Sequence, residues 1–218
     1  MWRRKAPRGG LRGARGRPPK KLILQNKIYD VIIFKMAEWV TVKSKGKKYN
    51  CVDTKIVSAH PLNDTWVFWF HDLNSDSWAV TSYLKLFSFN TIEDFWILFN
   101  NITNVYNGMY YLMRQGYPPI WDDATNIKGG GWTFKVDKKY AHEFWEKLSC
   151  CCIGESLPHN VVGVSISPKI RFVTIRLWTN NTEHNPGTFD QLYKETENDA
   201  IKIDIRQARF TPNSEAHT

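Results

Sequence analysis

Cysteine is scarce in this chain: there are four in 218 residues, and three of them stand side by side at Cys150, Cys151 and Cys152. Adjacent cysteines rarely bridge one another in an ordinary backbone, so a small disulfide-stapled scaffold is excluded. Reduced thiols in a cytosolic protein are the expectation. Also lacking is any run of eighteen apolar residues, and the first residues hold no uninterrupted apolar stretch of the secretory kind. Neither a membrane span nor export is therefore expected. The six histidines, His60, His71, His142, His159, His184 and His217, show no ligand spacing with the cysteines. With no nucleophile and base in view either, the sequence predicts no metal, no cofactor and no enzyme.

Acidic residues are missing from the first 21 positions, which carry nine basic ones: Arg3, Arg4, Lys5, Arg8, Arg12, Arg15, Arg17, Lys20 and Lys21. The remaining 21 Lys and Arg equal the 21 acids, so the net charge of +9 belongs to the tail and the body is neutral. Glycines and the Pro18-Pro19 pair interrupt the tail, and such a segment buries too little surface to offset its ordering entropy. Disorder is expected over 1–35, with three readings open: a solvated terminus, an electrostatic arm for RNA phosphates, or an Arg-rich, serine-free presequence. Met36 is an alternative start, residues 36–58 read as a variable lead-in, 59–209 as one domain, and 210–218 as a loose end.

What the chain does have is a 42% hydrophobic, 14% aromatic composition, sufficient for one sizeable core. Short β-branched and aromatic runs separated by turn signals predict strands at Thr65–Phe70, Trp78–Phe89, Gly108–Met113, Trp132–Val136, Val161–Ser167, Ile170–Trp178 and Ala200–Gln207. Three helical patterns are interleaved, which makes the class α+β. The first begins after Thr91, a capping hydroxyl followed by Glu93 and Asp94, and sets Ile92, Phe95, Trp96 and Phe99 on one stripe. The second runs from Asp137 to Cys152 with Gly154 as its stop, and the third follows Thr188.

Of the ten tryptophans, Trp66, Trp69, Trp96 and Trp145 lie in apolar runs and suit a core, whereas Trp78 and Trp121 stand beside polar or turn segments. Two loop indoles facing each other make a slot for a flat, cationic ring, each π-face attracting the cation by about 0.5 to 2 kcal/mol. A carboxylate beside them, Asp122, would accept hydrogen bonds from a guanine edge. A guanine methylated at N7 has both properties.

Several motifs then fall in a telling order: His60-Pro61-Leu62-Asn63-Asp64-Thr65-Trp66, Ser77-Trp78, Thr91-Ile92-Glu93-Asp94-Phe95-Trp96, Pro119-Ile120-Trp121-Asp122-Asp123, Lys128-Gly129-Gly130-Gly131-Trp132, Phe144-Trp145, Ile153-Gly154-Glu155-Ser156 and Ile175-Arg176-Leu177-Trp178-Thr179. This ordered set, spanning about 60–207, resembles the eukaryotic translation initiation factor 4E family. The resemblance implies a curved antiparallel sheet of about eight strands, three helices on its convex face, and an mRNA cap on the concave one. It places Trp78 and Trp121 around 7-methylguanine, and Trp178 near the N7 methyl. Asp122 stands at the base edge, where the family usually has the longer Glu.

For the triphosphate, the resemblance puts Lys169 and Arg171 on family phosphate positions. Thr174 takes the place of a third cation that Arg176 would or would not replace, and Gly131 stands where arginine is common. On the opposite surface His60, Pro61, Leu62 and Trp96 match a site that receives an amphipathic helix from a scaffold (4G-like) or 4E-binding protein. Lys147 and Cys150 depart from that pattern, and a reversed charge favours an altered partner. The expectation is a monomeric, cytoplasmic cap-binding translation factor, with a nuclear fraction allowed. The alternative is a cap-impaired or repressive scaffold member that acts through its convex face.

Overall fold

A computed structural model describes residues 59–102, 104–182 and 208–215. The chain forms β1 (Pro61–His71), β2 (Tyr83–Thr91), α1 (Ile92–Asn101), β3 (Met109–Arg114), β4 (Gly130–Val136), α2 (Lys138–Ile153), β5 (Val161–Pro168), β6 (Val173–Thr179) and β7 (Arg209–Pro212). The seven strands make one curved antiparallel sheet in the order β2-β1-β3-β5-β6-β4-β7.

Strand alternation sorts side chains between two layers. Trp66, Phe68 and Phe70 of β1 point into a core completed by Phe95, Leu98 and Phe99 of α1 and by Phe144, Trp145 and Leu148 of α2. Both helices therefore lie on this face. Trp145 is the hinge of the packing, with its ring 4.9 Å from Phe99 and 6.1 Å from Phe68, and truncating so large a buried ring costs about 3 to 5 kcal/mol. On the other face a smaller aromatic cluster gathers Tyr83, Met109, Tyr111 and Trp178, with Trp69 and Trp121 packed against it.

Helix α1 starts where the sequence predicts, with the Thr91 hydroxyl accepting from the Asp94 amide at 3.2 Å. Its stripe is narrower than expected. Phe95 and Phe99 are buried, but Ile92 and Trp96 stay about two-fifths exposed. Helix α2 ends at Gly154, whose amide returns to the Cys150 carbonyl at 2.9 Å. The left-handed turn that follows falls on Glu155 (φ 55°), a costly place for a side chain. Arg114 holds that glutamate, pairing with Glu155 at 2.9 Å and with Asp64 while lying over the Trp66 ring. The Asn63-Asp64 and Gly154-Glu155 motifs thus meet at one guanidinium.

Three expectations are corrected. The strand predicted from Trp78 begins only at Tyr83, because Val80–Ser82 coil into a 3-10 turn closed by the Ser82 hydroxyl on the Ala79 and Ser77 carbonyls, both at 2.7 Å. The strand predicted from Ile170 begins at Val173, since Lys169–Phe172 make a hairpin turn closed from the Lys169 amide to the Phe172 carbonyl at 2.8 Å. The end expected to be loose from Phe210 instead forms β7, which pairs with β4, and a short turn at Asn213–Glu215. The predicted strand Ala200–Gln207 and the third helix lie outside the described residues.

Candidate functional site

On the face of the sheet away from α1 and α2, Trp78 stands in the link between β1 and β2 with 55% of its surface exposed. Its indole is stacked on the imidazole of His71, 4.7 Å away, and His71 itself is fully buried. The Nε2 of His71 meets the Ser77 carbonyl at 2.9 Å, so that nitrogen carries the proton. Ser82 adds a contact to the same nitrogen at 3.2 Å. The segment just before Trp78 is thereby tied to the end of β1.

Trp121 lies in the link between β3 and β4, which is braced from inside by Asn126. The Asn126 amide donates to the carbonyls of Pro118 at 2.6 Å and Ile120 at 2.8 Å, on the approach to Trp121. The Asn126 carbonyl in turn accepts from Asn213 at 2.8 Å. Of the two carboxylates after Trp121, Asp123 accepts from the amide and hydroxyl of Thr125 at 2.9 and 2.6 Å, and so belongs to the loop. Asp122 is exposed, and its charge adds to the upward shift of the Tyr83 phenol.

Between the two tryptophans runs a continuous floor of rings. His71 meets Tyr83 at 4.5 Å, Tyr83 meets Tyr111 at 5.5 Å, and Tyr111 meets Trp178 at 6.2 Å. Burial pushes the Tyr83 phenol up to about 12; the Tyr111 hydroxyl counters this and the Asp122 carboxylate adds to it. The phenols of Tyr83 and Tyr111 therefore keep their protons at any physiological pH.

Arg176 turns toward the rings and the end of the chain. Its guanidinium sits 5.7 Å from the Trp121 ring and 5.5 Å from the Trp178 ring, and donates to the Thr211 carbonyl at 3.0 Å and to Asn213 Oδ1 at 2.8 Å. Burial lowers its pKa to about 10. These bonds tie the guanidinium to β7 and the turn after it, while its buried Nε has no hydrogen-bond partner. Gly131 makes the space, because a Cβ there would come within 2.5 Å of the Arg176 Nε. Trp178 is likewise buried, with its indole N–H on the Ser165 hydroxyl at 3.0 Å, so it belongs to the floor.

Lys169 and Arg171 are exposed on the hairpin between β5 and β6, and line a different cavity from the ring floor. On the helical face, His60 at the head of β1 contacts Glu93 through both its amide (3.0 Å) and Nδ1 (2.7 Å), while Leu62 packs on the core and Pro61 is exposed. Trp96 projects from α1 at 40% exposure. Lys147 and Cys150 of α2 are half-buried; burial first, then the Glu146 charge, raises the Cys150 thiol to about 11.

A family model described as Eukaryotic initiation factor 4E matches residues 61–216. The chain belongs to that family. It is 33% identical over 150 residues to mouse eukaryotic translation initiation factor 4E type 1B, covering 62% of this chain and 61% of that relative. To the human factor it is again 33% identical, over 62% of this chain and 69% of that one. This chain thus spans less than two thirds of the mouse relative's length. Among solved structures, Ascaris suum eIF4E-3 in complex with an m7G cap superposes with a TM-score of 0.59 at 25% identity, over 71% of this chain and 91% of that one. Caenorhabditis elegans eIF4E-3, solved with the 4E-binding protein Mextli and a cap analog, shares the fold at a TM-score of 0.63 and 22% identity, over 73% and 96%.

Within this 4E-family frame, Trp78, Trp121, Asp122 and Trp178 border one aromatic floor, whereas Lys169 and Arg171 stand apart from it. Sequence reasoning missed His71, Tyr83, Asn126 and Asn213. His71 had a readable signal, since it continues the phase of Trp69 and opposes that of Phe68 and Phe70.

Proposed function

We propose that the face of the sheet away from α1 and α2 binds the 7-methylguanosine cap of mRNA and that the protein acts in translation initiation. The observation that carries this reading is the pair of braced loop tryptophans, Trp78 and Trp121, at the two ends of one floor of rings, with Asp122 next in sequence to Trp121. A cationic methylated base between the indoles gains from both π-faces. Asp122 accepts from N1–H and the exocyclic amine of guanine, each charge-assisted bond contributing on the order of 1.5 to 3 kcal/mol. Lys169 and Arg171 take the phosphates, and Trp178 supports the methylated edge from below.

The helical face receives an amphipathic helix from a scaffold or 4E-binding protein at His60, Pro61, Leu62, Trp96, Lys147 and Cys150. A second reading, a scaffold member with little cap affinity, is favoured by one observation: Arg176 donates internally to Thr211 and Asn213, and Gly131 and Thr174 bring no charge beside it.

Tryptophan fluorescence decides between them. Titration with 7-methylguanosine triphosphate is expected to quench emission selectively over unmethylated guanosine triphosphate, and Trp121→Ala to abolish the response. Equal responses to both nucleotides, or an unchanged Trp121→Ala titration, would remove the slot.

A further inference from the structure

Among the described residues His71 is the one fully buried histidine, and the fold uses only one of its two nitrogens. The Nε2–H serves the Ser77 carbonyl and the Ser82 hydroxyl. Nδ1 is buried with no hydrogen-bond partner and so keeps a bare lone pair. A buried polar atom left unpaired calls for a reason. Stacking under Trp78 supplies none, since a phenyl ring would stack there without an orphaned acceptor. The bond to Ser77 supplies none either, because Nε2 alone makes it.

That lone pair is basic, and imidazole is the side chain whose charge changes between about pH 5 and 8. A proton can be taken up only at Nδ1, since Nε2 already carries one. The resulting cation lies between two rings, Trp78 at 4.7 Å and Tyr83 at 4.5 Å, and both attract it. No carboxylate among the described residues bonds to His71. Asp72, next on β1, accepts from the Asn74 amide and side chain at 2.9 and 3.1 Å, and Asp76 of the following link is exposed. From β2, Tyr83 keeps its proton and Lys85 is exposed. From β3, Met109 pairs with His71, and the protonated Tyr111 lies beyond Tyr83. Asp122 is the remaining carboxylate, and its charge is felt at Tyr83. A proton on His71 therefore adds a charge that no direct partner neutralises, one ring below the slot.

We propose that His71 is a proton sensor beneath the slot: a proton on Nδ1 turns away the cationic base that Trp78 otherwise holds. With a cation already on its inner face, the indole holds a second one on its outer face less well. The two like charges repel, and both draw on the same ring. Affinity is therefore highest with His71 neutral and falls as the pH drops through its titration. By linkage, the bound base lowers the proton affinity of His71 by the same factor. The proposal rests on the cap-binding reading, and it adds release of the cap under proton control.

The test measures the affinity of the full chain for 7-methylguanosine triphosphate between about pH 5.5 and 7.5, in the wild type and His71→Phe. Titration of the nucleotide itself and of Asp122 acts on both proteins alike, so the difference between the two profiles reports His71. On acidification the wild type is expected to lose about fivefold more affinity than the variant. A second measurement follows the His71 ring protons by NMR in the wild type, assigned through their contacts to Trp78 and Tyr83, and does not depend on the variant folding. That signal is expected to titrate within the same range and to shift to lower pH when the nucleotide is bound. The proposal is overturned if the two affinity profiles run parallel, if the His71 signal does not titrate there, or if the nucleotide leaves its titration in place. Wild-type protein that binds the nucleotide at no pH instead removes the slot itself, and the sensor with it.

Discussion

The imidazole of His71 lies 3° from parallel to the indole of Trp78, so the exposed ring rests on a buried one. The stack and the bond from Nε2–H to the Ser77 carbonyl hold Trp78 ready before any ligand arrives. His71→Phe, which keeps a flat ring but loses the bond to Ser77, should retain more affinity for 7-methylguanosine triphosphate than a non-aromatic replacement. His71→Leu should weaken it by about 1 kcal/mol, roughly fivefold in Kd. Acrylamide quenching of the ligand-free variants, with melting temperatures alongside, separates a released Trp78 from a damaged fold.

Arg176 and Gly131 form a lock on neighbouring strands. Arg176→Met strips the Thr211 carbonyl and Asn213 Oδ1 of their donor and should destabilise the domain by about 2 kcal/mol in urea denaturation. Gly131→Ala brings a methyl against the Arg176 Nε and, at 2.8 Å, the Leu177 carbonyl, so it should cost about 1 to 3 kcal/mol. Combining the two changes should recover only part of the Gly131→Ala loss, because the carbonyl contact remains. Full additivity of the two losses would contradict the lock.

The buried phenols set an alkaline limit. Tyr83 and Tyr110 are both pushed up to about 12 by burial, so between pH 10 and 12 the folded chain binds more protons than the unfolded one. Stability from these groups is complete below pH 10 and falls as the pH rises through that window. Arg176 works in the opposite sense, its lowered pKa favouring the folded state above about pH 10. The contribution of Tyr83 is isolated by the difference between wild type and Tyr83→Phe. That difference should shrink as pH rises from 10 to 12, and a constant difference would rule the phenol out.

Glu93 ties α1 to the start of β1. The hydrogen bond from the His60 side chain, followed by its own amide, holds the Glu93 carboxyl below its ordinary 4.5. Its stabilising contribution is present above that value and is lost as the pH falls through the lowered one. A carboxyl carbon titration by NMR should show Glu93 titrating below 4.5, and His60→Ala should raise it part of the way back while the backbone amides keep their hold.

How much of this was legible in the sequence depends on the range of each interaction. Helix α1 could be read from Thr91, Glu93 and Asp94 because capping acts within one turn. The period-two runs in β1 and β6 fixed the two faces of the sheet. Arg176 stayed ambiguous because a basic residue on a strand looks the same whether its guanidinium enters solvent or folds back across the strand. Only the opposing Gly131 and the distant Asn213 reveal which. Polar residues hid β7 in the same way, since its Arg209, Thr211 and Pro212 carry no apolar alternation and its order comes from pairing with β4. Tyr83 reads as an ordinary strand aromatic until the 3-10 turn before it sets the ring under the slot.

Asn213 gives the far end of the chain a mechanical grip on the site. Through one side chain it receives Arg176 and reaches back 87 residues to the Asn126 carbonyl, while its amide holds Gly129. A pull on the segment after Pro212, or a protease cut just before it, is transmitted directly to the loop that presents Trp121. A tag fused close behind Glu215 would load the same joint.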